Sequence, residues 1–360
     1  MDRFGPPTWY ANWRRGPALI VVLFLAAALL MACWPVSSSP APKVRASVAE
    51  QSDLDLYREV IRRVRAGDAY YPAVAEELRK DNYPLKPFIT FRLPSQAYAY
   101  AWAGEPVMIG LQVLLALTVG ALWWRRLGSE APLWLRAVAM FFLAAGMGGL
   151  VEPVTGLFHE SWAALLMALA IALRRPGQAT GAIVAAGIAL LIRETALPML
   201  AMMGALALIE RRWREAAGWA GAIALFAVYL AWHAAQVAAV VAPTDLASPG
   251  WQSLLGVRFA LKAMAAVNAA TILPYWLAAA ALILSLFGWA SVRAGWAWRA
   301  ALLVIGYGAM LALFARADTF YWALLATPLS LMGIAFVPAA LRDLAAALDL
   351  ASRRVAGSEA

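Results

Sequence analysis

The chain has 360 residues, 63% of them hydrophobic and only 14% charged, which lies outside the range of soluble globular domains and marks an integral membrane protein. A single cysteine, Cys33, excludes an internal disulfide, and two histidines, His159 and His233, are too few for a zinc or haem constellation. The net charge of +9 comes mainly from arginines beside apolar runs, the pattern of the positive-inside rule, and no basic run interleaved with aromatics points to nucleic acid.

A bilayer core of about 30 Å takes roughly 20 apolar residues as helix. Apolar runs occupy 16–34, 106–124, 133–151, 161–173, 179–192, 196–209, 216–236, 272–292, 299–315 and 321–339, ten candidate spans in one membrane domain covering 1–360. The fold class expected is all-α, a polytopic helical bundle, since nothing shows the alternation of a membrane barrel. The first run follows Arg14 and Arg15 and ends in LMAC, as a cleavable signal does, and is read as a retained anchor. Arginine-bearing turns at 125–126, 174–175, 211–214 and 293–299, with Arg342, Arg353 and Arg354, would all face the cytoplasm of the inner (plasma) membrane. Both termini then lie there, and the segment 35–105 becomes one large outer loop, long enough to be exempt from the charge rule despite ten basic residues. The cytoplasmic turns are too short for a nucleotide-binding fold and no GxxxxGK[ST] loop appears, so a cytosolic nucleotide or nucleotide-sugar is not the expected substrate.

Within the outer loop, SDLDLYREVIRRVRAG (52–67) places Leu54, Tyr57, Val60, Ile61 and Val64 at helical spacing, an amphipathic helix for the membrane surface. Ser52 is its expected N-cap, Asp55 stands in capping-box position, and Gly67 is the expected stop. Asp53, with Tyr57 one turn later, is the candidate catalytic carboxylate. DLD also spells a metal-binding DxD, but residues two apart on a helix point about 200° apart, so a shared divalent metal is not favoured there; the cofactor expectation is none. A second short piece, AVAEELRK, precedes DNYPLKPFITFRLPSQAYAYAW, whose prolines, aromatic rings, Lys86 and Arg92 suit a loop folded over the membrane.

The other outer turns contribute His159 and Glu160 from EPVTGLFHES, and Arg193 and Glu194 from RET. That last turn joins two short runs, which draws its ionisable pair below the outer interface, where such pairs are costly. Paired only with Glu194, Arg193 keeps donors for a lipid phosphate. Arg258 and Lys262 share one face of a second outer helix, about 251–268, and Arg316 stands with Asp318 at the mouth of the last span. These cations are candidate ligands for an anionic head group. Arg136, near an inner end, is expected to snorkel.

The layout resembles the GT-C superfamily of membrane glycosyltransferases, closest to the family-87 mannosyltransferase type that uses polyprenyl-phosphate sugars. DLDLY is similar to that group's Asp-x-x-x-Tyr, which places the catalytic role on Asp53, and HESWAALLMALAIALRRP, IRETALPML and RADTFYWALLATPLSLMGIAF resemble further blocks of its relatives. The resemblance implies an inverting transferase moving mannose or a similar sugar from a polyprenyl-phosphate donor to a lipid, glycan or protein acceptor on the outer (periplasmic or extracellular) face. The alternative is a carrier or flippase for a lipid-linked or anionic solute, which calls for ionisable residues near mid-membrane in several helices.

Overall fold

The computed structural model describes residues 5–33, 43–152 and 155–356, and these are helical, with no strand among them. The chain runs through α1 (Arg15–Cys33), α2 (Lys43–Arg65), α3 (Tyr70–Lys80), α4 (Ser95–Ala103), α5 (Glu105–Leu127), α6 (Leu133–Met147) and α7 (His159–Leu173). It continues through α8 (Thr180–Ile192), α9 (Leu197–Ile209), α10 (Trp213–Ala238), α11 (Gly256–Ala266), α12 (Tyr275–Ser291), α13 (Gly295–Phe314), α14 (Thr327–Ser330) and α15 (Val337–Ala356). Among the described residues six segments are long and apolar enough to cross a membrane: Arg15–Ala32, Glu105–Leu127, Leu133–Val151, Trp213–Ala238, Gly295–Phe314 and Ala317–Asp349. Four shorter apolar helices, His159–Leu173, Thr180–Ile192, Glu194–Ile209 and Tyr275–Ser291, accompany them.

The sequence of α7 is apolar all round, and such a helix belongs inside a bundle. It is the central post, buried almost from His159 to Ala172. Small residues let other helices close on one another, as expected where packing rather than water drives helix association. A Cβ added at Gly288 of α12 would lie 1.9 Å from the Gly333 carbonyl oxygen, and one at Gly333 would lie 2.0 Å from that of Ser285. The last span is therefore not the uniform helix its composition promises. It breaks into a 3-10 run Ala317–Ala326, the short α14 and a second 3-10 run Met332–Phe336 before α15.

Polar contacts sort the connections into two ends. At one, Glu210 sits between Arg174 (2.7 Å), Arg299 (2.6 Å) and Arg212 (2.8 Å), the Trp296 indole donates to Glu130, the Arg293 amide donates to Pro7, and Thr8 donates to Asp343. These contacts gather the arginine-rich turns and the described residues nearest both termini. Arg136 lies in the same region, its guanidinium 3.9 Å from the centre of the Trp124 ring, a cation–π contact. The opposite end carries α2, α3, α4 and the turns after α6, α8, α10 and α13, joined by Tyr100 to Gly156, Ser95 to Leu191, Arg79 to Asp245 and Arg92 to Tyr321.

The second end has its own core. Leu56, Val60, Tyr70, Tyr71, Val74, Leu78, Leu85, Phe91 and Ala97 pack together and onto Val237 of α10. The Tyr71 hydroxyl meets His233 Nδ1 at 3.0 Å beneath this layer. Gly67, with φ +102°, ends α2 as expected, its amide donating to Val64. The start of α2 differs from expectation. KVRASVAEQ contains no breaker, so the helix reaches back to Lys43, and Ser52 is an interior residue rather than an N-cap. Asp55 therefore has no capping box to complete; it is exposed and paired at 3.8 Å with Arg58. The helix expected over 251–268 is shorter, running from Gly256 to Ala266.

Candidate functional site

Where the layer built from α2, α3 and α4 meets the bundle, the structure forms a cavity of about 780 Å³. α2 supplies Asp53 and Tyr57, the segment before α4 supplies Tyr83 and Arg92, and the start of α7 supplies His159. The α8–α9 turn supplies Arg193 and Glu194, and the 3-10 run after α13 supplies Asp318 and Tyr321, with Arg316 at its edge. One wall is apolar, built from Pro198 of α9 and Gly306, Ala309, Met310, Leu313 and Phe314 of α13.

Of the residues singled out from the sequence, Asp53, Arg92, His159, Arg193, Glu194 and Arg316 thus line one space, and Glu160 stands directly behind it against Arg193. Lys86, Arg258 and Lys262 do not. Lys86 points its ammonium at the Pro243 carbonyl (2.9 Å), holding the segment before α4 to the one after α10. Arg258 and Lys262 lie on α11 away from the cavity, because the buried face of that helix is its apolar one, Ala260, Leu261, Met264 and Ala265.

Asp53 is half-buried and accepts a hydrogen bond from the Tyr83 hydroxyl. Burial pushes its carboxyl above the usual carboxylate range, while the Tyr83 bond and the Arg92 charge pull it part of the way back. Asp55, two residues on, points to solvent, so the two carboxylates of DLD do not converge. Among the described residues no three His, Cys, Asp or Glu side chains form a group able to hold a metal ion.

Arg92 has an unusual environment for a guanidinium. Its Nε donates to the Tyr57 hydroxyl (3.2 Å) and its Nη2 to the Tyr321 hydroxyl (3.0 Å), both neutral phenols. Among the described residues no carboxylate pairs with it. Burial pushes the Tyr57 phenol above its ordinary range, which keeps it a neutral hydrogen-bonding group rather than a counter-ion.

Arg193 is the opposite case. It is 2% exposed and lies between Glu194 and Glu160, the latter 2.7 Å from its Nε, so it is not paired with Glu194 alone. The Glu160 contact is an ion pair without hydrogen-bond alignment. Arg316 is held at 2.7 Å by Asp318 and donates to Ser248 (3.2 Å) and the Gly250 carbonyl (3.4 Å).

Those last contacts expose an element with no sequence signal, a strap over residues 242–250. Asp245 pairs with Arg79 (2.7 Å), the Leu246 carbonyl accepts from the amides of Leu85 and Lys86, and the Ser248 amide donates to Lys86 (2.7 Å). The strap brings Ser248 to the cavity wall, followed by Trp251. Compared with family models, curated proteins and solved structures, the chain finds no match, so its functional reading rests on the chemistry of this cavity.

Proposed function

We propose that the protein is an inverting glycosyltransferase that moves mannose or a similar sugar from a polyprenyl-phosphate donor to a hydroxyl of a lipid, glycan or protein. The observation that carries this reading is the placement in one cavity of Asp53 and of Arg92, a cation without a carboxylate partner among the described residues, beside an apolar wall on α13. A lipid phosphate needs that combination: a cation for the head and an apolar surface for the chain.

In the transfer, Asp53 takes the proton of the acceptor hydroxyl as its oxygen bonds to the anomeric carbon. The bond from that carbon to the phosphate oxygen breaks, and the lipid phosphate leaves with its charge beside Arg92, in a site drier than bulk water. Displacement from the opposite face inverts the anomeric configuration. The raised carboxyl of Asp53 makes it a better proton acceptor than an ordinary aspartate. In this reading ten helices cross the inner membrane, the arginine-rich end with both termini faces the cytoplasm, and the cavity opens on the outer side.

The test is transfer of radiolabelled sugar from polyprenyl phosphate by Asp53→Asn and Asp55→Asn in parallel. Asp53→Asn loses about 100-fold or more, since asparagine keeps the shape but takes no proton, while Asp55→Asn stays near wild type. Full activity in both variants removes the transferase reading and favours a carrier for lipid-linked or anionic solutes.

A further inference from the structure

The cavity leaves two cations without a task. Arg258 and Lys262 stand about one turn apart on α11, roughly 6 Å along its axis, and neither makes an ion pair or a hydrogen bond among the described residues. Nothing packed beside them neutralises them. Between 239 and 274 the one acid is Asp245, and Arg79 holds it at 2.7 Å. α12 and α13, which pack along α11, contain no Asp or Glu, and Asp318 on the 3-10 run after α13 is taken by Arg316.

The flanks of this helix are apolar and uncovered. Leu254 and Val257 precede the two cations, Ile272 and Trp276 follow them, and all four are exposed, Leu254 at 74% and Ile272 at 83%. A lipid surface accommodates both kinds of group, apolar side chains among acyl chains and the cationic tips among head groups. A zwitterionic head group brings its own cation and leaves the two protein charges unmatched. An acidic phospholipid brings a phosphodiester with net negative charge, which accepts charge-assisted hydrogen bonds from both.

We propose that this face of α11 is a docking surface for acidic phospholipid, with Arg258 and Lys262 on the head-group phosphate and Leu254, Val257, Ile272 and Trp276 among the acyl chains. The surface lies outside the cavity and does not depend on sugar transfer. It is joined to the cavity through the backbone, because the Leu254 amide donates to the Leu313 carbonyl (3.4 Å) while Trp251, three residues earlier, belongs to the cavity wall.

The experiment places a fluorophore on the protein carrying Cys33→Ser and Ala266→Cys, position 266 being exposed and one turn beyond Lys262. In detergent micelles the labelled protein is titrated with brominated phosphatidylglycerol or brominated phosphatidylcholine, each of which quenches on contact. A cation near an anionic lipid surface contributes about fivefold in affinity, so half-quenching is expected at roughly 20-fold to 30-fold less phosphatidylglycerol than phosphatidylcholine. Arg258→Gln and Lys262→Gln each reduce that preference about fivefold, the double variant brings the two curves together, and Lys262→Arg keeps them apart. Salt at about 0.5 M narrows the gap in the protein with α11 otherwise intact, an arm that needs no substitution of either cation. Coincident curves before any change at 258 or 262, a preference that survives in the double variant, or a gap indifferent to salt overturns the proposal. A dimer that the double variant splits, with no preference between the lipids, also overturns it and assigns the face to a second copy of the chain.

Discussion

Replacing Arg193 by methionine takes away the cation between Glu160 and Glu194 while keeping an unbranched apolar stem in the space. Arg193 is 2% exposed and Glu160 only 1%, so neither charge is relieved by water. At an effective dielectric near 20, opposite unit charges about 4 Å apart attract by roughly 4 kcal/mol. Removing one partner of a buried pair costs about 3–5 kcal/mol, because the other charge stays behind without compensation. Arg193→Met is therefore expected to lose about that much stability, read as a lower denaturant midpoint for the protein in detergent micelles. Adding Glu160→Gln removes the stranded charge and recovers roughly 1–3 kcal/mol of the loss, a coupling that a double-mutant cycle measures directly. An Arg193→Met protein within about 1 kcal/mol of wild type refutes the reasoning, and shows that this arginine is not what neutralises the two carboxylates.

Gly333→Ala drives a methyl group to within 2.0 Å of the Ser285 carbonyl oxygen, so α12 and the last span must separate; a loss of at least about 3 kcal/mol is expected in the same unfolding assay. On the proposed transferase reading the reaction requires ionised Asp53, so the rate is expected to fall as pH drops through a carboxyl value raised by burial; Tyr83→Phe removes a hydrogen bond that lowers that value, and its acid limb is expected to move to higher pH. A pH–rate profile of Tyr83→Phe that superimposes on wild type contradicts this. Arg92→Gln, which leaves Tyr57 and Tyr321 with a neutral partner, is expected to weaken binding of bare polyprenyl phosphate by roughly 10-fold to 100-fold, and unchanged affinity removes Arg92 from the phosphate site. Accessibility tags at 128, 176 and 296 report one side of the membrane and tags at 75 and 246 the other, and any mixture of the two sets breaks the two-ended arrangement.

The apolar helices are legible because their signal is local: long apolar runs closed by arginine, with Gly67 as an explicit stop after α2. The ionisable residues around the cavity stand out in sequence for a related reason, since Arg193, Glu194, His159 and Arg316 interrupt or border runs that are otherwise apolar. Lys86 stands out with Arg92 in a loop rich in proline and aromatic rings, and Arg258 and Lys262 on one face of a helix; neither signal says which side chains turn toward the cavity. Tyr83 was visible only as one aromatic in a loop full of them, and its bond to Asp53 joins residues 30 positions apart. Thr90, Gln96, Thr195 and Trp322 carry no local signal at all; that they line one cavity is a property of the assembled fold. The strap was illegible for the complementary reason, its anchor from Arg79 to Asp245 spanning 166 positions of chain. In the last span, TPLSLMG is apolar enough to cross a membrane but carries Pro328 and Gly333, and the span departs into 3-10 turns where Gly333 approaches α12.

Arg92 reaches Tyr321 across 229 positions. A ribosome adding about 5–20 residues per second needs on the order of 10–50 s to travel that distance. Early in that interval the layer around Leu56, Tyr70 and Phe91 has the members that come from the first hundred residues and lacks Val237, Val240 and Val241, from α10 and just beyond it. The far side of the cavity, with Arg316, Tyr321 and Trp322, has not yet been made. A nascent chain in the translocon therefore displays Asp53 long before it encloses a space around it, and a copy arrested before the last span holds the carboxylate without the chamber. Synthesis of the last span is what closes the space around Asp53.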